Sequence, residues 1–221
     1  KFNVILANPP YSIKAWDRKS FESDPYGRNI WGTSPQSCAD YAFQQHIHKS
    51  LDLKNGRSIS LWPHGVLFRD SEAEMRRKMV EEDFVECVIG LGPNLFYNSP
   101  MEACLLITKT NKEKRKKGKI LFINAVNEVK QDKSMSYLME SHIAKIFSAY
   151  NKFATIKSFS SLVSNEDVLG RNGNMAINLY VRPEEHNAAD TISFADAYIN
   201  WNSTTEKLKT SMKELFKVLQ K

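Results

Sequence analysis

The chain has 221 residues and a formal net charge of +6. Its hydrophobic content of 42% is enough for the core of one large domain, or of one domain with an appendage. It has no apolar run of membrane-spanning length and no signal-peptide pattern, so we expect a cytoplasmic protein. The excess of Lys and Arg over Asp and Glu is compatible with nucleic-acid binding but does not require it.

The first predicted element is a strand over residues 2–7, followed at once by Asn8, Pro9, Pro10 and Tyr11. The paired prolines end this strand because proline donates no ladder hydrogen bond. In an open α/β sheet, ligands bind in the crevice outside the carboxyl ends of the strands. The sequence therefore predicts an amide and an aromatic ring at a ligand-binding edge.

These residue types suit methyl transfer to the exocyclic amine of adenine, a poor nucleophile whose lone pair is delocalised into the ring. The Asn8 side-chain oxygen and the Pro9 carbonyl could accept the two N–H hydrogens and leave the lone pair free to attack a methyl donor. Tyr11 can stack on a base that has left the duplex. The alternative is a Pro-Pro turn with an ordinary buried tyrosine, so the motif needs support from the rest of the chain.

Helices and strands alternate after this segment. A polar loop is predicted over 12–36, and its length favours a functional role. The next elements are a helix over 38–52, a strand over 57–62, a helix over 71–81 that begins with a capping box of Ser71 and Glu74, and a strand over 84–90. This order predicts a parallel sheet with helices on its faces and the first strand near its middle.

A strand over 103–108 follows after a connection too short for a helical crossover, so we expect it to pair antiparallel with the strand before it. The basic run 111–119 is interpreted as a solvated hairpin leading to a strand over 120–125, in preference to a phosphate-contacting patch. A helix is predicted over 139–150 and a last strand over 177–181. The helix is expected to pack through Ile143, Ile146 and Phe147.

The C-terminal stretch follows a polar linker at 182–187. From Thr204 onward, apolar residues recur at helical spacing: Leu208, Met212, Leu215, Phe216 and Leu219. Such a helix could pack on its own domain or on a partner, and the stripe alone does not choose between them.

Other titratable residues are expected to be structural. Cys38, Cys87 and Cys104 lack metal-ligand spacing and are interpreted as reduced structural thiols. His46 and His48 are two positions apart and cannot share a helix face, so no metal site is predicted. Asp40 is interpreted as an early-turn acid favoured by the helix dipole, not as a general base.

Asn8–Tyr11, followed by Ser12, Lys14 and Trp16, resembles the catalytic motif of adenine-N6 DNA methyltransferases, specifically the modification (M) subunit of type I restriction-modification systems. The similarity covers roughly residues 1–183 in one order, and its main segments are 39–43, 56–69, 94–97, 103–108, 165–169 and 177–181. Trp62 departs from the pattern, since a smaller side chain would be less surprising there. A match of this length is much more specific than the motif alone.

This resemblance implies an α/β fold, the second half of a Rossmann-like S-adenosylmethionine-dependent methyltransferase sheet, parallel with an antiparallel final strand, plus a C-terminal helical region. Residues 1–183 would be the C-terminal part of the catalytic domain, and 184–221 a linker and amphipathic helix that could contact another subunit. Double-stranded DNA and the specificity (S) and restriction (R) subunits would be partners, and a homodimer stays open.

The resemblance also implies roles for residues. Asn8, Pro9, Pro10 and Tyr11 would be catalytic, and Asn8 would also contact the cofactor. Lys14 and Trp16 could approach DNA, or could simply order the loop. The attack on the methyl donor would be direct, without a metal or a covalent nucleophile, since no Cys follows the prolines as in cytosine-methylating enzymes.

A glycine-rich turn that cradles S-adenosylmethionine in such enzymes is expected before Lys1, so this chain would lack most of the cofactor pocket. Gly90 and Gly92 form a lone Gly-x-Gly, which is too weak a signal to replace that turn. Two alternatives stay open: a free-standing or fused type II adenine methyltransferase, and a catalytically silent interaction module.

Overall fold

The structure, a computed structural model, describes residues 1–96, 100–132, 135–182 and 193–219. The chain divides into two compact units, Lys1–Pro183 and Glu184–Lys221. Within the described ranges, no helix is both long and apolar enough to cross a membrane.

The first unit contains eight strands and five α-helices within its described residues. In chain order they are β1 (Val4–Ala7), α1 (Arg18–Glu22), α2 (Asp40–Ser50), β2 (Arg57–Pro63), α3 (Ala73–Glu81), β3 (Val85–Leu91), β4 (Ala103–Lys109), β5 (Lys119–Ala125), β6 (Lys130–Asp132), β7 (Met135–Tyr137), α4 (Glu140–Lys152), β8 (Ser160–Ser164) and α5 (Asn165–Leu169). The second unit contains α6 (Phe194–Leu219).

Six of these strands form one mixed sheet in the order β1-β2-β4-β3-β5-β8, while β6 and β7 form a separate two-stranded ribbon. β1 pairs parallel with β2, and β3 pairs parallel with β5. β4 runs antiparallel to both β2 and β3, and β8 runs antiparallel to β5. The prediction that the strands at 84–90 and 103–108 are antiparallel is confirmed, because their short connection leaves no room for a crossover.

The sheet is covered on both faces. One apolar cluster joins it to α2 and α3, through side chains such as Tyr41 and Met79. The other lies under α4 and includes Ala149 and Phe153. β3 is buried along its whole length, as expected for a central strand with helices on both sides.

The prediction that the first strand lies near the middle of the sheet is wrong for the described chain. β1 is the edge strand and pairs only with β2 among the described residues. Its side chains alternate, so Ile5 and Ala7 pack against the core, whereas Val4 and Leu6 are 63% and 74% exposed.

Several local predictions are wrong at element ends. Residues 177–179 form a 3₁₀ turn rather than a strand, although Ile177 and Val181 are buried as a strand pattern suggested. Helix α3 starts at Ala73 after a separate 3₁₀ turn, and no side-chain cap forms at its first turn. The loop predicted over 12–36 contains the short helix α1, whose start Asp17 caps by accepting from the Ser20 amide.

Helix α4 forms close to its predicted position, but its packing differs. Ala149 is its buried residue and Ile146 is partly buried, whereas Ile143 and Phe147 are 52% and 61% exposed. Helix α6 begins at Phe194, ten residues before the predicted start, and the linker predicted at 182–187 lies mostly outside the described residues.

The basic run 111–119 is not a hairpin. β4 and β5 are separated by β3, so the run crosses the end of the sheet where β3 begins. Lys112 and Lys116 are buried and contact acids at the start of β3, Asp83 and Glu86 respectively. The interpretation of the run as solvated is therefore wrong for these two lysines.

The Gly-x-Gly at 90–92 is explained by packing. A Cβ at Gly90 would lie 2.7 Å from Ile177 Cδ1, and one at Gly92 would lie 2.5 Å from the carbonyl oxygen of Val126. Glycine is required at position 92, where the backbone of Val126 approaches closely, whereas a Cβ at position 90 would meet the end of the Ile177 side chain, which can move.

Candidate functional site

The carboxyl ends of four strands share one edge of the sheet. β1, β2, β3 and β5 all point the same way, as their parallel pairs and their common antiparallel neighbour β4 require. Asn8, Pro9, Pro10 and Tyr11 come directly after β1 and therefore lie at this edge. An open α/β sheet binds its ligands there.

Asn8 and Tyr11 contact each other across the two prolines. The Tyr11 hydroxyl donates to Asn8 Oδ1 over 2.9 Å, while the Asn8 residue as a whole stays exposed. Burial of the half-buried Tyr11 raises the pKa of its hydroxyl above 10, so the hydroxyl stays a donor at neutral pH. An amide oxygen has two lone pairs, so Asn8 can still accept a hydrogen bond from a ligand.

An open cavity of about 550 Å³ faces this segment. It is lined by Asn8, Pro9, Pro10, Tyr11, Phe96 and Met101. Phe96 and Met101 lie on the connection between β3 and β4, which returns to the same sheet edge. The cavity thus combines one amide with flat and apolar surfaces, which suits a planar heterocycle.

No role is predicted for Phe96 and Met101 from the sequence alone. A signal for them existed, because a short connection between antiparallel neighbours must return to the edge where Asn8 lies. What the sequence did not provide is which residues of that connection face Asn8.

The segment after Tyr11 is tied to helix α2. The Ser12 amide donates to Asp40 Oδ1 over 2.6 Å, and the Ala39 amide donates to the Ile13 carbonyl over 3.2 Å. Asp40 is in the first turn of α2, as predicted, but its carboxylate also accepts the hydrogen bond from the Ser12 amide and is completely buried.

Arg69 lies against three buried side chains beneath this segment. Its guanidinium donates to Asp40 Oδ2 over 2.6 Å and to Cys38 Sγ, and its Nε lies 3.2 Å from Glu72 Oε2. Ligand atoms of Cys38, Asp40 and Glu72 lie within 4.8 Å of one another, a spacing that a metal ion could span. The Arg69 guanidinium already contacts all three side chains and provides the positive charge that a metal ion would otherwise bring.

Glu72 is the least well satisfied member of this cluster. Neither of its carboxylate oxygens makes a hydrogen bond of good geometry within the described part of the chain, and burial raises its pKa to about 7. Burial also raises the pKa of the Cys38 thiol to about 11, which keeps it protonated, in line with a structural role.

Stability should therefore fall as Glu72 ionises. Its pKa is raised from 4.5 to about 7 on folding, so between these values the folded state binds more protons than the unfolded state. The free energy of unfolding should drop by about 3 kcal/mol as pH rises through this window. Urea unfolding of wild type and Glu72→Gln at pH 5 and pH 8 checks this. The same drop in both proteins would contradict the assignment to Glu72.

Lys14 and Trp16 make contacts that order the loop. The Lys14 carbonyl accepts from Gln36 Nε2 over 2.8 Å, and Trp16 Nε1 donates to the Gln36 carbonyl over 3.2 Å. The Trp16 ring also meets Phe21 edge to face, 5.9 Å between centroids. These contacts match the loop-ordering interpretation, and a role of Lys14 and Trp16 in DNA binding stays a prediction.

The two histidines of α2 lie in different environments. His46 is exposed, whereas His48 is buried against Phe84, with 3.9 Å between ring centroids. Burial lowers the pKa of His48 to about 4, so it is a neutral core residue at physiological pH. The prediction that the pair does not share a helix face is confirmed.

A family model of N-6 DNA methylases matches residues 1–189, which is most of the chain. The chain belongs to this family. The MjaVIII methylase subunit of a type I restriction enzyme from Methanocaldococcus jannaschii is 30% identical over 226 residues, covering 100% of this chain and 38% of that protein. The MpnII methylase subunit from Mycoplasma pneumoniae is 32% identical over 186 residues, covering 83% of this chain and 34% of that protein.

Solved structures agree with this assignment. The methyltransferase subunit of a type I restriction-modification system from Streptococcus thermophilus superposes with a TM-score of 0.75 at 35% identity, covering 81% of this chain and 38% of that one. The predicted resemblance to type I M subunits and the predicted methyltransferase fold class are confirmed. The chain spans little more than a third of the length of these relatives.

Proposed function

We propose that this chain carries the target-adenine site of an N6-adenine DNA methyltransferase, within the M subunit of a type I restriction-modification system. The observation that carries the proposal is the cavity in which Asn8, Pro9, Pro10 and Tyr11 face Phe96. Membership of the N-6 DNA methylase family supports the same chemistry.

The reaction needs the adenine amine to be held by acceptors. Asn8 Oδ1 and the Pro9 carbonyl accept its two N–H hydrogens and withdraw the lone pair from conjugation with the ring. Held in this way, the amine nitrogen would present its lone pair to a methyl donor, and S-adenosylmethionine would supply the methyl group when bound. Proline fixes the backbone dihedral at positions 9 and 10, which keeps the carbonyl in place.

The base must leave the duplex before it reaches this cavity. The Tyr11 ring offers one stacking surface, and its centroid lies 6.4 Å from that of the buried Trp62, which limits how far the ring can retreat. Phe96 is on the connection that borders the same cavity and offers a second surface. Stacking on an aromatic side chain contributes roughly 1–3 kcal/mol for each base.

When bound, S-adenosylmethionine supplies an electrophilic methyl group. Among the described residues, the lining of the Asn8 cavity has no charged side chain that could pair with the amino acid part of this cofactor. The lining therefore fits the methyl-transfer end only, and Asn8 is the residue we assign to contact it. The rest of the pocket is expected from other parts of the subunit.

Double-stranded DNA, the S subunit and the R subunit are the proposed partners, with a homodimer still open. Helix α6, in the second unit, carries exposed apolar side chains along most of its length: Phe194, Tyr198, Ile199, Trp201, Leu208, Met212, Leu215 and Phe216. We assign this face to contact with another subunit, since burial of such a stripe stabilises a complex.

The product of the reaction tests the proposal. The full subunit, with its S subunit, labelled S-adenosylmethionine and DNA, should yield N6-methyladenine as the labelled nucleoside after digestion. Labelled cytosine, or no transfer by the intact complex, would overturn the assignment.

Calorimetry on residues 1–221 alone is expected to detect no tight binding of S-adenosylmethionine, and tight binding would refute the expectation that most of the pocket lies elsewhere.

A further inference from the structure

The residue directly after the Asn8–Tyr11 segment adopts an unusual backbone conformation. Ser12 has φ +50°, in the left-handed region that residues with a side chain rarely occupy. Such a conformation costs free energy and persists only where surrounding groups hold it. The group that holds Ser12 is Asp40, whose Oδ1 accepts from the Ser12 amide over 2.6 Å.

Asp40 is itself fixed on both sides. Its side chain is completely buried, and its second oxygen, Oδ2, accepts from Arg69 Nη2 over 2.6 Å. A buried carboxylate is stable only when both oxygens have partners, so this acid has one favourable orientation. In that orientation Oδ1 faces the backbone of the segment that carries Asn8.

The position of Arg69 is restricted by the chain turn that begins at Gly65. A Cβ at Gly65 would lie 2.7 Å from Arg69 Nε, so glycine at that position lets the guanidinium lie across the turn. The Arg69 amide donates to the Gly65 carbonyl over 2.9 Å, and the Arg69 carbonyl accepts from Arg76 over 3.0 Å. The arginine thus has little freedom to swing away from Asp40.

A continuous set of contacts runs from Arg69 through Asp40 and Ser12 to the Asn8 cavity. Tyr11 directly precedes Ser12, and its hydroxyl donates to Asn8 Oδ1 over 2.9 Å. Two prolines stiffen the short stretch between Asn8 and Tyr11. A shift of the Ser12 amide is therefore transmitted to both groups that face the base.

We propose that Asp40 is a positioning residue for adenine methylation, and that Arg69 orients it. This inference rests on the proposed function, because Asp40 acts only through the placement of Asn8 and Tyr11. It assigns to Asp40 more than the helix-dipole role that its position in α2 suggested. A misplacement of about 1 Å in a reacting group costs on the order of 10²-fold in rate.

The kinetic test uses Asp40→Asn in the full subunit. Asparagine keeps the shape, but its amide nitrogen would face either the Ser12 amide or the Arg69 guanidinium donor to donor, so one of the two contacts is lost in either orientation. We expect kcat to fall roughly 10²-fold, with the KM for DNA changed by less than about threefold. Asp24→Asn is the matched control, because Asp24 also pairs with an arginine, Arg28, and its side chain is 1% exposed. That variant should keep its kcat.

A second measurement requires no activity. In the isolated chain, exchange of the Ser12 amide hydrogen should be roughly tenfold faster in Asp40→Ala than in wild type. Arg69→Lys keeps a positive charge but loses the fork geometry, and should show an intermediate rate. If Asp40→Ala does not fold, Arg69→Lys decides the question alone.

The outcomes separate the two proposals. Unchanged Ser12 exchange in these variants, or an Asp40→Asn subunit with the kcat of wild type, would overturn the positioning role while adenine methylation by wild type still stands. Failure of wild type to methylate adenine would overturn the proposed function, and the exchange rates would still show whether Asp40 anchors the segment.

Discussion

Replacing Asn8 by alanine should lower the kcat of adenine methylation by about 10²–10³-fold while leaving the fold intact. Asn8 is exposed, and its described side-chain contact is the hydrogen bond from Tyr11, so its removal should change stability by less than about 0.5 kcal/mol. Alanine offers no acceptor to the adenine amine, whose nitrogen gains positive charge in the transition state. Loss of one such preorganised group costs about 10²–10³-fold in kcat.

Steady-state methylation kinetics of the full subunit, with urea unfolding alongside, measure both effects. Asn111→Ala is a suitable control, because Asn111 is also exposed but follows β4, whose carboxyl end lies at the opposite edge of the sheet. Asn8→Asp keeps an acceptor for Tyr11 but puts a charge at the site, so its kcat should also fall. Wild-type kcat in Asn8→Ala would refute the role given to this amide.

The placement of Asn8 was predictable because its causes are local. An apolar run followed by two prolines determines where β1 ends, and parallel strands end at a common edge. The antiparallel pairing of β3 with β4 followed in the same way from a short connection. Both inferences need only neighbouring residues and general rules of sheet topology.

The anchor beneath the site was not predictable, because it depends on contacts between distant positions. Ser12 and Asp40 are 28 residues apart, and Asp40 and Arg69 are 29 apart. An aspartate at a helix start has a sufficient local explanation in the dipole, so nothing in the sequence required a second partner. The same holds for Phe96, whose approach to Asn8 depends on the path of the β3–β4 connection.

Predictions from apolar spacing were wrong where the same residues pack differently in the folded chain. The apolar residues at 177–181 suggested a strand, but Ile177 packs over Gly90 from a 3₁₀ turn. Ile143 and Phe147 follow helical spacing and yet stay exposed, since α4 meets the sheet through Ala149. Apolar periodicity therefore predicts the type of secondary structure better than it predicts which face of the element is buried.

The basic run 111–119 was predicted to be solvated, but two of its lysines, Lys112 and Lys116, are buried. Lys112 Nζ donates to Asp83 Oδ1 over 2.6 Å and to the Lys119 carbonyl over 2.9 Å. Lys116 Nζ lies 3.5 Å from Glu86 Oε1 and 4.8 Å from the ring centroid of Phe153. Burial of a charged lysine is tolerated only when an acid or carbonyl compensates it, so these lysines hold the β4–β5 connection against the sheet.

Lys116→Met should therefore destabilise the first unit by about 3 kcal/mol, a fall in Tm of roughly 6–12 °C. The substitution retains most of the apolar stem but leaves the buried Glu86 carboxylate with weaker compensation. Glu86 keeps Arg57 as a cationic neighbour, 3.4 Å away, as well as a weaker electrostatic interaction with Lys112, and it accepts from the Tyr150 hydroxyl. Thermal and urea unfolding of residues 1–221 measure the effect.

The exposed Lys117 provides the matched control, since Lys117→Met lies in the same run and should change stability by less than about 0.5 kcal/mol. The double variant Lys116→Met, Glu86→Gln should recover part of the loss, because neither side of the pair then leaves a buried charge. Equal stability of Lys116→Met and Lys117→Met would show that the run is solvated after all. A loss in Lys116→Met that Glu86→Gln does not reduce would mean that the stem of Lys116, packed on Phe153, accounts for the stability rather than its charge.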